Sequence, residues 1–204
     1  MPANIKIALD CRDINIATTG THTYLSELIA AFNKQNSNEV SFVFIKPFIA
    51  VMPGNNAFAK LIRHIQFFFY KQITLPILTF LNGASILICT DYVAPVFTPG
   101  FKTIVVFHDA FFWESPEHYH PFWLQLFHGI GVPAAKRANL LIVPTAHAKK
   151  SILKHENFDP NIQNENGLTF MMLLLENVNI YSDAIFTFAN VIFDLPTFFV
   201  NIQD

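Results

Sequence analysis

Charge of either sign is scarce in this 204-residue chain: Lys and Arg number 13, Asp and Glu 15, together 14% of the sequence. With 52% apolar residues such a chain can bury a substantial core, which excludes intrinsic disorder. A net charge of −2 gives no general attraction to nucleic acid, and no nucleic-acid partner is expected. Cysteine is rarer still. Cys11 and Cys89 are too few for a disulfide framework or a metal cluster, so they read as buried thiols in a reducing compartment. No apolar run approaches the ~20 residues of a membrane-spanning helix. Lys71, Gln72 and Pro76 interrupt the longest one, Phe67 to Leu81. The opening Met-Pro-Ala-Asn-Ile-Lys lacks the apolar stretch of a signal peptide, so the expectation is a cytoplasmic protein that can work at a membrane face.

The little charge present is unevenly placed. Residues 1–155 carry all 13 basic side chains against eight acids, a net of +5; the last 49 carry seven acids and no Lys or Arg, a net of −7. This break divides the chain into an expected folded domain over 1–160 and an acidic, apolar tail over 161–204, irregular or helical. Lys136, Arg137, Lys149, Lys150 and Lys154 form the one dense basic region. It reads as a solvated helix face, with attraction to anionic lipid headgroups or to a diphosphate as the functional alternative.

Short apolar runs alternate with helical spacing along the first domain. Ile5 to Leu9, Ser41 to Ile45, Ser85 to Cys89, Thr103 to Phe107 and Leu140 to Val143 read as strands. Leu25, Leu28, Ile29 and Phe32 recur at helical spacing after the first of them, with Thr21 or Thr23 as cap. Ala57 to Phe80 is helical in composition, with Pro76 kinking it or starting a second helix, and reads as packing surface rather than a site. Tyr119 to Ala138 is a further amphipathic helix. The alternation predicts an α/β fold with a doubly wound parallel sheet.

Ligands of such sheets lie beyond the carboxyl ends of the strands. The residues there are the loop around Gly20, then Thr90-Asp91-Tyr92, His108-Asp109 and Thr145. The Gly20 loop leads into a helix N-terminus, where backbone N–H groups and the helix dipole can hold a phosphate. It has a single glycine, which excludes a dinucleotide fingerprint, and no Gly-Lys-Ser/Thr, which excludes a P-loop. His108 reads either as a hydrogen-bonded rim histidine or as a donor to a substrate hydroxyl or phosphate. His118 and His120 alternate without a partner motif, so no metal site is expected.

In order along the chain, IALDCRDI, TGTHTYLSEL, LPILTFLNGASILICTDYVAPV, VVFHDAFFWESPEHYHPFW and AAKRANLLIVPTAHAKKSIL resemble the N-terminal domain of a family 4 glycosyltransferase of GT-B architecture. The resemblance covers residues 4–155 and implies a Rossmann-like single GT-B half. It implies transfer of a sugar from a nucleotide-sugar donor to a saccharide or lipid-linked acceptor, with retention of configuration and no metal or other cofactor. His108 would lie beside the transferred sugar as the catalytic residue. Gly20, Thr21, His22, Tyr92, Asp109 and Thr145 would contact substrates. His22 stands where the family usually has a second glycine.

The family holds its nucleotide mainly through a second domain bearing a Glu-x7-Glu motif. Glu156 and Glu165, nine apart, do not replace it, and after Gly167 the resemblance stops. The expectation is therefore an incomplete enzyme, inactive alone. The alternatives are a non-catalytic subunit that pairs with a separate donor-domain protein, or a truncated gene product. Peripheral contact with a membrane fits the lipid-linked acceptor.

Overall fold

The computed structural model describes residues 5–18, 20–34, 40–54, 56–143, 146–156 and 171–174. Its strands are β1 (Ile5–Asp10), β2 (Val40–Ile45), β3 (Ile86–Cys89), β4 (Lys102–Val106), β5 (Leu140–Val143) and β6 (Met171–Leu174). They form one sheet in the order β2-β1-β3-β4-β5-β6, and every neighbouring pair is parallel. The helices are α1 (Gly20–Lys34), α2 (Ala57–Phe69), α3 (Leu75–Leu81), α4 (Phe111–Glu114), α5 (Pro121–Leu126), α6 (Val132–Arg137) and α7 (Ala146–His155). This is the expected Rossmann-like α/β arrangement.

Both faces of the sheet are apolar, as a parallel sheet covered on both sides requires. Successive side chains point to opposite faces, so Ile7, Leu9, Ile88 and Ile104 join Leu28 and Phe32 of α1 in one core cluster. Ala8, Leu87, Val105 and Leu141 join Leu75 of α3, Ala135 of α6 and Ile152 of α7 in the other. The five predicted strands are all present.

Three local features depart from the sequence reading. Helix α1 begins at Gly20, so Thr21 and Thr23 lie inside its first turn instead of capping a helix that starts at Tyr24. Residues 171–174 of the tail, expected to be irregular or helical, form β6, because their apolar run pairs with β5 and extends the sheet. The rest of 161–204 lies outside the described residues. The third departure is inside the helical runs: Tyr70–Thr74 and Phe127–Gly131 are π turns, each ending two residues before a proline, Pro76 and Pro133. A proline cannot donate to the carbonyl four residues back, and its ring crowds that carbonyl; the wider π turn accommodates both. Residues 57–81 thus run as one helical rod.

The rod ends sharply. Gly83 adopts φ +65, and the N–H groups of Gly83 and Ala84 donate to the carbonyls of Phe80 and Thr79. That Schellman motif returns the chain into β3.

Candidate functional site

After β1 the chain crosses to one side to make β2, then to the other to make β3, so the topological switch point lies between β1 and β3. A crevice forms beyond the carboxyl ends of strands at such a point. Asp10 ends β1, and Thr90 and Asp91 follow β3, so three polar residues meet where the sheet opens.

The π turn delivers a fourth. Its two consecutive inward-facing residues are Tyr70 and Lys71, both buried. The Lys71 ammonium forms ion pairs with Asp10 and with Asp91, and the Lys71 and Asp10 side chains are each only 1% exposed. Tyr70 Oη donates to Asp10 Oδ1 at 2.9 Å, and the Arg12 amide donates to the same oxygen at 3.0 Å. Burial opposes the charge on Lys71, but the two carboxylates outweigh it and hold the ammonium protonated well above its ordinary range. Asp91 is pushed up to about 6, first by burial and then by Asp10, with Lys71 pulling it back. Two carboxylates on one ammonium leave an excess of negative charge at the crevice.

Thr90 links this cluster to a second one. Its hydroxyl donates to the Asp10 carbonyl at 3.0 Å, and its own carbonyl lies 2.9 Å from Nε2 of His108, beyond β4. A carbonyl can only accept, so Nε2 carries the proton. Burial lowers the affinity of His108 for a second proton, against the opposing pull of the Thr90 carbonyl and Asp109, and the ring is neutral at pH 7. Nδ1 is therefore an acceptor. The sequence offered His108 as a hydrogen-bonded rim histidine or as a donor to substrate; its one N–H is committed to the Thr90 carbonyl, as in the first reading, and what remains is a lone pair.

Tyr92 and Asp109 complete the rim. Burial, and then the Asp109 carboxylate beside it, raise the Tyr92 phenol above its usual range. Asp109 Oδ1 also accepts from the Phe111 amide at 3.0 Å, at the start of α4. Tyr92 packs edge-on against Phe107, Phe112 and His108, with centroids 5.2, 4.9 and 6.1 Å away. On the other side of the imidazole stands Tyr24 of α1, edge-on at 5.2 Å.

Of the predicted site residues, His108, Tyr92 and Asp109 form one connected group. Gly20, Thr21 and His22 make up the exposed first turn of α1, the turn before Tyr24, so the helix end lies on the His108 side of the crevice. Among the described residues, nothing lies within 4 Å of where a Gly20 Cβ would stand. Thr145 lies outside the described residues. Both thiols, Cys11 and Cys89, are buried and free, and burial pushes Cys11 up to about 12, which makes it unreactive. Among the described residues no three His, Cys, Asp or Glu side chains converge to hold a metal ion.

Asp10, Tyr70 and Lys71 are site residues that the sequence reading missed; it had assigned the segment of the last two to packing. The available signal was a lone lysine in the aromatic run Phe67-Phe68-Phe69-Tyr70-Lys71, with acids directly after two apolar strands.

No family model, curated protein or solved structure matches this chain.

Proposed function

We propose that this chain provides the acceptor-side half of a GT-B glycosyltransferase cleft, in which the His108 rim receives the reacting hydroxyl and sugar. The observation that carries the reading is the His108–Tyr92–Asp109 group at the mouth of a parallel sheet, with the first turn of α1 on the same side. Carboxylates and neutral acceptors suit sugar hydroxyls, which donate. The helix N-terminus suits a phosphate.

In the proposed transfer an acceptor hydroxyl oxygen bonds to the anomeric carbon, the bond from that carbon to the diphosphate breaks, and the hydroxyl proton leaves with the diphosphate. Nδ1 of His108 accepts from a hydroxyl of the bound sugar and so orients it. Asp109, fixed by the Phe111 amide, accepts from a second hydroxyl. Positioning of this kind lowers the barrier by holding reacting atoms in line. The nucleotide would be held by a second α/β unit, in a partner chain or elsewhere in the protein.

Saturation-transfer NMR with UDP-glucose and with maltose tests the reading. Sugar-proton signals are expected with the wild-type chain and are expected to vanish with His108→Ala, without turnover of UDP-glucose in either case. Sugar signals unchanged by His108→Ala would overturn it, as would no signal from either probe.

A further inference from the structure

The helical rod of residues 57–81 buries one side against the sheet and leaves a long apolar stripe on the other. Phe58, Leu61, Ile65, Phe69, Ile73 and Ile77 follow one another at spacings of three and four, and each is between 46% and 64% exposed. Scattered exposed apolar residues need no explanation, but a contiguous row marks a contact surface. A strict four-residue spacing drifts around an α-helix of 3.6 residues per turn. The π turn at Tyr70–Thr74 has more residues per turn and reverses that drift midway, keeping the row on one side. At 1.5 Å per residue the rod is about 37 Å long. Such a convex ridge fits a plane better than a groove.

Charge identifies the plane. Between Glu39 and Asp91 the sequence contains no acid at all, while Lys46, Lys60, Arg63 and Lys71 fall within that span. Lys71 is used internally, and Lys46 and Lys60 are exposed. A symmetric dimer through the stripe would set these cations against their own copies without an acid to pair them. An anionic lipid surface attracts them instead.

The neighbouring loop extends the apolar surface. Phe48 and Ile49 are 80% and 62% exposed on the segment between β2 and α2. That segment is fastened to α2: Gln66 accepts from the Met52 amide and donates to the Ala50 carbonyl, both at 3.1 Å, and Arg63 donates to the Met52 carbonyl at 3.1 Å. Phe48 and Ile49 also line a pocket of about 310 Å³ with Ile65 and Phe69 of the stripe. Arg12 and Tyr70, which both bond Asp10, line it too, so the apolar surface reaches the crevice at the switch point.

We infer that the Phe58–Ile77 stripe, with Phe48 and Ile49, lies in the interface of an anionic lipid bilayer as an amphipathic ridge. No described helix is long and apolar enough to cross a membrane, and the stripe lies along the surface. The basic cluster where the sequence suggested lipid attraction lies on other helices, α6 and α7, and Lys136 there pairs with Glu156 at 2.7 Å.

Vesicle flotation of the full chain tests this, with phosphatidylcholine alone and with phosphatidylcholine mixed with phosphatidylglycerol. Binding to the mixed vesicles is expected to exceed that to phosphatidylcholine, and Ile65→Glu with Ile73→Glu is expected to weaken it at least about tenfold. Circular dichroism checks that this double variant folds. Lys60→Glu, a single exposed change, gives a second reading and is expected to weaken binding to the mixed vesicles, while Lys149→Glu with Lys150→Glu leaves it unchanged. Binding insensitive to the stripe variants overturns the inference. So does a chain that ignores both vesicles, which leaves the stripe to the chain's own residues or a protein partner, or a dimer in sedimentation that Ile65→Glu with Ile73→Glu dissociates.

Discussion

His108 donates through Nε2 to the carbonyl of Thr90 at 2.9 Å, and this bond ties the end of β4 to the end of β3. Because Thr90 also bonds the Asp10 carbonyl, the ends of three neighbouring strands are held in one polar chain. A buried ring with its N–H engaged in this way stays neutral.

The pH dependence follows from that. Burial holds the His108 proton affinity below the ordinary value of 6.5, so the unfolded chain binds a proton there more readily than the folded one. Its contribution to stability is present above 6.5 and declines as the pH falls below that value. In an NMR titration its ring signals are expected to keep their neutral shifts at pH values where an exposed histidine has already charged. His108→Asn is expected to flatten the acid limb of the stability profile. Asp91, raised to about 6, acts in the opposite direction, so the comparison of variant with wild type isolates the histidine.

Lys71→Met leaves Asp10 and Asp91 facing one another without the ammonium between them. Removing one member of a buried ionic group costs about 3–5 kcal/mol. Urea unfolding is expected to show a loss of that size, and Asp10→Asn added to Lys71→Met is expected to restore part of it. Additive losses in the double variant would show that the two residues are not coupled.

Tyr92→Phe removes the hydroxyl beside Asp109 while keeping the edge-on ring contacts. A loss of no more than about 1 kcal/mol is expected in thermal or urea unfolding, because the ring packing is retained.

Two glycines respond differently. Gly83 has φ +65 in the turn that ends α3, and Gly83→Ala is expected to cost about 1–2 kcal/mol from the left-handed conformation alone. Gly20 begins α1 with open space around it, and Gly20→Ala is expected to change stability by no more than about 0.5 kcal/mol. On the proposed function the same change weakens binding of a diphosphate, with UDP as probe, so stability and binding separate at this position.

The five strands of residues 5–143 are legible in the sequence because each is a short apolar run bounded by polar or turn residues, and the helical spacing between them fixes the α/β alternation. His108, Asp109 and Asp91 are legible as candidates for the same reason: each is polar directly after an apolar strand. The direction of the His108 bond is not legible, since it depends on a carbonyl that the parallel pairing of β3 and β4 brings alongside. Lys71 is 61 residues from Asp10 and 20 from Asp91. Only the crossover from β2 to β3, with a π turn rotating Tyr70 and Lys71 inward together, decides that this lysine is buried in an ionic cluster. The exposure of the Phe58–Ile77 stripe was likewise decided by the tertiary structure. Apolar spacing announces a helix face that avoids water, but which face the sheet covers depends on where the rest of the chain packs.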